Sequence, residues 1–156
     1  MLRKNRKKIK SAPRLNKNII VIILLIFSLA VIWLVFLYFQ GDKLRINNQT
    51  YDIEIVDEPK TRQKGLSDYQ ELKHNEGMLF VFDKPGEYCF WMKDMDFAID
   101  IIWLDDSRQV VDYKENITPD SYPESFCPDS LSKYVLEVNS GDIQKLEINL
   151  GDKASF

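Results

Sequence analysis

Residues 77–106, GMLFVFDKPGEYCFWMKDMDFAIDIIWLDD, hold three consecutive runs of β-forming residues. Gly77 to Phe82 is continuously apolar, Tyr88 to Lys93 is rich in aromatics, and Ile99 to Leu104 is apolar apart from Asp100. Runs of this length and composition, separated by turn residues, read as strands. Asp83-Lys84-Pro85-Gly86 is the first turn, because proline fixes φ and glycine accepts a positive φ; Asp94 to Ala98 is the second connection. The expectation is three strands joined by two hairpins, with Lys93 pairing near Ile99 or Asp100. Met78 to Phe82 has no polar residue on either parity, so both faces of that strand need cover. That predicts a sandwich or closed barrel rather than an open sheet.

Working outward, Leu44 to Asn47 and Tyr51 to Val56 flank a polar turn and form an opening hairpin, with Tyr51, Ile53 and Ile55 alternating against Asp52 and Glu54. Asp57 as N-cap, Pro59 in the first turn and Gly65 as the stop predict a short helix over 58–64. Gln109 to Tyr113 continues the sheet. Residues 116–132 hold Pro119, Pro123 and Pro128 without periodicity, as a binding loop or lid would. Tyr134 to Val138 is a further strand, in which Tyr134, Leu136 and Val138 alternate against Glu137. Ser140 is placed to cap a short helix over 141–146, and Leu150-Gly151-Asp152 turns into a last strand.

Charge divides the chain. Eight of the 21 Lys and Arg lie in residues 1–39 and none of the 24 Asp and Glu do, so the remainder carries a net −11. A surface that acidic repels phosphate backbones, which argues against nucleic acid as a partner of this domain. Residues 19–39, IIVIILLIFSLAVIWLVFLYF, contain no charge and are long enough as a helix to span a bilayer. With the basic tail at 1–18 ahead of this transmembrane helix, the positive-inside rule places the N-terminus in the cytoplasm and residues 43–156 outside the cell membrane. A cleaved signal peptide is the competing reading; the length of the run and the bulky Leu37-Tyr38-Phe39 favour an uncleaved signal-anchor. Cys89 and Cys127, the two cysteines, both fall in the outer part. Spacing leaves two readings open, a disulfide in an oxidising compartment or two buried thiols.

Several ordered motifs connect residues 43–156 to a known family. Thr61-Arg62 with Gly65-Leu66, Gly77 to Phe82, Phe90-Trp91-Met92-Lys93, Ile99-Asp100-Ile101, Tyr134 to Glu137 with Gly141, and Gly151-Asp152 resemble the domain-of-unknown-function family 192 (DUF 192). The chain departs from the family pattern at Ser67, Asp94-Met95 and Ala98. The resemblance implies a mainly β, small jelly-roll-like barrel or sandwich with one or two short helices, often membrane-anchored. It implies no established activity, and nothing in the residues leads us to expect a cofactor.

Chemical candidates are few. Asp94, Asp96 and Asp100 lack the Gly and Glu of a calcium loop and read as solvated turn carboxylates. His74, the one histidine, supports neither a zinc site nor a serine triad, so no metal is expected. Strand parity separates Tyr88, Phe90 and Met92 from Cys89, Trp91 and Lys93, so one set can fill the core while the other lines the opposite face; aromatic burial in a small β core favours the alternative, in which both sets are core. Trp91, Lys93, Asp100 and Arg62 are the candidate ligand-binding residues, suited to a polar envelope ligand such as a saccharide or peptide stacked on the indole. Rival readings are an envelope hydrolase using carboxylates of the 94–106 region, and a purely structural domain. Asp100, inside an apolar run, needs a partner if buried, from Lys93, Arg62 or backbone N–H groups.

The topology has a direct check. A reporter fused after Phe156 is expected to be active only outside the cytoplasm, and the protein is expected to stay with membranes through a carbonate wash. A soluble mature form beginning near Gln40 would contradict the anchor.

Overall fold

The computed structural model describes residues 16–38 and 41–156. The first unit is helix α1, Lys17–Tyr38, whose 22 residues extend about 33 Å at 1.5 Å per residue. It is long and apolar enough to cross a membrane, and its side chains from Ile19 to Val35 are exposed. Most of the basic tail, through residue 15, lies outside the described residues, as do Phe39 and Gln40.

The second unit, Gly41–Phe156, is mainly β, with a seven-stranded sheet curled into a half-barrel. Its strands in chain order are β1 (Asp42–Ile46), β2 (Gln49–Val56), β3 (Glu76–Gly86), β4 (Phe90–Trp91), β5 (Ile99–Leu104), β6 (Val110–Ile117), β7 (Ser125–Phe126), β8 (Ser132–Asn139) and β9 (Ala154–Ser155). The short helices are α2 (Pro59–Lys64) and α3 (Asp142–Lys145). The sheet order is β6-β5-β8-β3-β2-β1-β9, and β4 pairs with β7 in a separate two-stranded ribbon. β1 and β2 form the opening hairpin through Asn47, which takes a positive φ of 50°. β2 and β3 are parallel, a pairing that needs a crossover, and α2 provides it. The helix starts from Glu58 rather than Asp57 and ends at Gly65, whose φ of 50° suits glycine and whose missing Cβ leaves room for the Phe80 ring. α3 starts from Gly141 in the left-handed region; Ser140 instead donates its hydroxyl to Asn116 Oδ1.

The two consecutive hairpins expected over 77–104 do not form. β8 inserts between β3 and β5, and the chain from 87 to 98 crosses one face of the sheet instead of joining it. Phe80 and Trp103 explain this path, because strand pairing alone would leave both rings uncovered. Met92 is buried over them, and Phe90 packs edge-on against Phe80 at 4.8 Å and Trp103 at 6.3 Å. Lys93 therefore has no partner across a hairpin; its carbonyl accepts from the Ser67 hydroxyl. Only one parity of this stretch is in the core, against the expectation that both are: Met92 is buried and Phe90 half-buried, while Cys89, Trp91 and Lys93 are exposed.

Both faces of the central strands are covered, as the apolar run over 78–82 requires. Leu79, Ile102, Leu136 and Val138 point to one cluster, with Tyr51, Ile143 and Ala154 around them. Met78, Phe80, Ile101, Trp103 and Val135 point to the other, beneath Leu66, Leu72 and Met92. The loop after β6 is fastened rather than free. Its β7 segment pairs with β4, and a disulfide joins Cys89 to Cys127 with Cα atoms 4.1 Å apart. Closing a 38-residue separation removes unfolded-chain entropy worth roughly 4 kcal/mol in the loop-entropy account.

Asp100 is fully buried and finds its partners in the backbone. Oδ1 accepts the Asn116 N–H at 2.8 Å, where the register between β5 and β6 shifts, and Oδ2 accepts the Ile143 N–H at 2.9 Å in the first turn of α3. One carboxylate thus fixes a bulge and caps a helix that its own Gly141 cannot cap. Asp100→Ala would leave the buried Ile143 N–H and the part-buried Asn116 N–H unpaired and is expected to cost roughly 1 to 4 kcal/mol in denaturant unfolding of the full chain. A loss below about 1 kcal/mol would show that water replaces the carboxylate.

Candidate functional site

A cavity of about 420 Å³ opens where α2 and the strand-crossing segment stand over the face of the sheet. That volume lies in the usual range for small-molecule sites. Five aromatic rings share its walls with polar side chains that include Arg62, Gln63, Ser67 and Glu87. Phe80 and Phe82 come from alternate positions of β3, Tyr88 and Phe90 from the crossing segment, and Trp91 stands at the rim with 53% of its surface exposed. The rings are braced by neighbours: Phe82 stacks on Tyr88 at 3.5 Å, Trp91 meets Tyr122 edge-on at 6.3 Å, and Trp103 Nε1–H donates to the Tyr88 carbonyl at 2.8 Å. Arg62, on α2, donates to the carbonyls of Asp57 and Val81 and holds its guanidinium 4.9 Å above the Phe82 ring. Lys64 pairs with Asp68 at 2.8 Å, and that partner raises its pKa.

The buried wall includes Glu137. It sits on β8 opposite Met78 of β3 and Ile101 of β5, on the same face as Val135. Only 6% of its surface is exposed, and its Oε2 has no hydrogen-bond partner among the described residues. The other buried acids are satisfied. Asp100 accepts two backbone N–H groups, and Asp142 accepts the Tyr51 hydroxyl at 3.0 Å, a phenol whose pKa burial and then Asp142 push upward. Burial alone pushes the Glu137 carboxyl up to about 8, since nothing nearby compensates a charge there. At neutral pH it is a neutral acid with an unused hydrogen-bonding capacity beside an aromatic cavity.

Of the residues singled out from the sequence, Trp91 and Arg62 line this cavity; Lys93 and Asp100 do not. Lys93 is exposed beyond the ribbon, and both Asp100 oxygens are engaged on the opposite face of the sheet. Cys89 lies at the cavity wall, so the disulfide borders the site. Among the described residues no group of acids, cysteines and histidine is arranged to hold a metal ion. Glu137 was missed because alternation on β8 reads it as the solvent side. The signal lay in the neighbours: a strand paired with two others whose both parities are apolar has no solvent side.

Protonation of Glu137 couples to stability. Its folded pKa near 8 lies above the ordinary 4.5, so between these values the folded protein holds a proton that the unfolded chain has released. This contribution is fully present below about 4.5 and is lost as pH rises through 8, at roughly 1.4 kcal/mol per pH unit. Glu137→Gln removes the slope. Unfolding of the two proteins at pH 5 and pH 8 is expected to show the variant gaining roughly 2 to 4 kcal/mol relative to wild type at the higher pH; parallel pH profiles would refute a buried neutral acid.

Comparison with known proteins agrees with this architecture. A Sinorhizobium meliloti 1021 crystal structure superposes with a TM-score of 0.69 at 24% identity, covering 72% of this chain and 91% of that one. A protein of unknown function from Novosphingobium aromaticivorans DSM 12444 gives the same TM-score at 26% identity, over 73% and 84% of the two chains. A UPF0127 protein of Thermococcus kodakarensis is 31% identical over 111 residues, 67% of this chain, and the match spans 64% of that relative's length. Residues 42–156 match DUF192, described as an uncharacterized ACR. The chain belongs to the DUF192 family.

Proposed function

We propose that this is a single-pass membrane protein with a cytoplasmic N-terminus, whose outer DUF192 domain binds a saccharide or peptide ligand of the cell envelope in the cavity beside Trp91. The anchor rests on the uncharged helix behind a basic tail, and the orientation on the charge asymmetry across it. The observation that carries the binding reading is the pairing of an exposed indole at the cavity rim with an unpartnered carboxyl in its buried wall. Buried polar groups are normally satisfied, so a carboxyl without a protein partner beside a cavity is a group that a ligand can satisfy.

Hydrolysis by the acids of 94–106 has less support. Asp94, Asp96 and Asp106 are exposed, Asp105 accepts the N–H groups of Ser107 and Gln109 within its turn, and Asp100 is committed to the backbone. None of these carboxylates lines the cavity.

Binding can be read on full-length protein in detergent carrying 5-fluorotryptophan, with the three tryptophan resonances assigned by Trp→Phe variants. Titration with cell-wall oligosaccharides and peptides is expected to shift the Trp91 signal saturably while leaving Trp103 in place, and Trp91→Ala is expected to weaken binding at least tenfold. No movement of Trp91 with any probe, or equal binding by the Ala variant, would sink this reading.

A further inference from the structure

Resting on that ligand-binding reading, we infer that the cavity takes its ligand through a primary ammonium group on a short apolar stem, the chemistry of a lysine-like side chain, with the ammonium against the Glu137 carboxylate. Among the described residues, Glu137 has the buried polar atom without a partner at this cavity, and it lies beside the rings of Phe80 and Phe90, while the polar side chains Gln63, Ser67 and Glu87 stand elsewhere in the lining. A ligand tip that matches has one polar head and an apolar stem, because each further hydroxyl brought against Phe80 or Phe90 would lose its water without gaining a partner.

The head is a cation for two reasons. The carboxyl lacks an opposite charge, and an ammonium is the group that makes its ionised form favourable in a buried place. Arg62 and Lys64, the protein's own cations at this cavity, are held by the carbonyls of Asp57 and Val81 and by Asp68. They make no ion pair with Glu137. The rings add a second attraction, since ring faces carry negative potential; the Arg62 guanidinium over Phe82 already uses one of them in this way. A hydroxyl or carbonyl head would instead leave the carboxyl protonated, and its binding would release no proton.

The proton balance is specific. Free Glu137 is protonated at neutral pH and the bound form is ionised, so seating an ammonium releases one proton to solvent. Met78 and Ile101, its neighbours across the sheet, carry no charge; the other ionisable groups lining the cavity are Arg62 and Lys64 from α2, and Glu87 and Tyr88 from the crossing segment.

The test uses the full chain labelled with 5-fluorotryptophan in detergent, titrated with butylammonium chloride, butan-1-ol, glucosamine and N-acetylglucosamine between pH 6 and 9. Butylammonium is expected to move the Trp91 resonance with an affinity that rises roughly tenfold from pH 6 to 7 and less than about twofold from pH 8 to 9. Glu137→Gln should flatten that profile and weaken binding at least tenfold, while Glu87→Gln should keep the profile. Butanol binding as tightly as butylammonium at pH 8, or an unchanged affinity in Glu137→Gln, overturns the proposal. Glucosamine binding more tightly than butylammonium at pH 7, where its less basic amine is still largely protonated, and losing that binding in Glu137→Gln, would replace the lysine-like stem by an amino sugar and so contradict it. A neutral saccharide that moves Trp91 where butylammonium does not refutes the ammonium and leaves the binding reading standing. If no probe moves Trp91, both fall.

Discussion

Strand β8 is hydrogen-bonded along both edges and covered on both faces, and the rest of the domain follows from satisfying that position. Its partners β3 and β5 come from distant parts of the chain, so the sheet closes only when residues 132–139 slot between them. Once they do, Leu136 and Val138 complete one cluster and Val135 the other. Over Tyr134 to Glu137 antiparallel pairing on both sides ties the backbone of this strand into the sheet. The α3 turn that follows β8 is in turn pinned by Asp100 of β5, so the strand and the helix after it are held by the same neighbour.

This arrangement explains why the cavity has the composition it does. The second face of the sheet is large and aromatic, and the short α2 and the residues crossing from 87 to 98 cover it incompletely. The disulfide and the β4–β7 ribbon hold that cover in place from the far side. What is left between the cover and the sheet is a space walled by β3 rings and floored in part by the one acidic side chain that β8 places on this face. The proton that this carboxyl holds in the folded protein makes its contribution to stability fall as pH rises towards 8.

Much of the secondary structure was legible because its signals are local. The apolar runs at 77–82 and 99–104, the Asn-rich turn of the first hairpin and the Pro59–Gly65 helix each carry their own propensity and punctuation. Strand order was not legible, since pairing β8 between β3 and β5 joins segments more than 25 residues apart, and nothing local distinguishes that from a hairpin over 94–98. The same gap hid half of the site. Trp91 stood out as an aromatic on the outward parity, and Arg62 as part of an ordered motif. Glu137 looked like an ordinary solvent-facing position until its strand was known to be central. Asp100 was legible as a residue in need of a partner, whereas the bulge and helix turn that satisfy it depend on the tertiary path.

The central claim is that an acid in the middle of this sheet stays protonated because its surroundings withhold a partner. Its most direct measurement is a carboxyl-carbon NMR titration of Glu137 in the ligand-free protein, assigned by its disappearance in Glu137→Gln. The account predicts a midpoint near 8. A midpoint near the ordinary 4.5 would mean that water or a basic side chain reaches the carboxyl, and would contradict it.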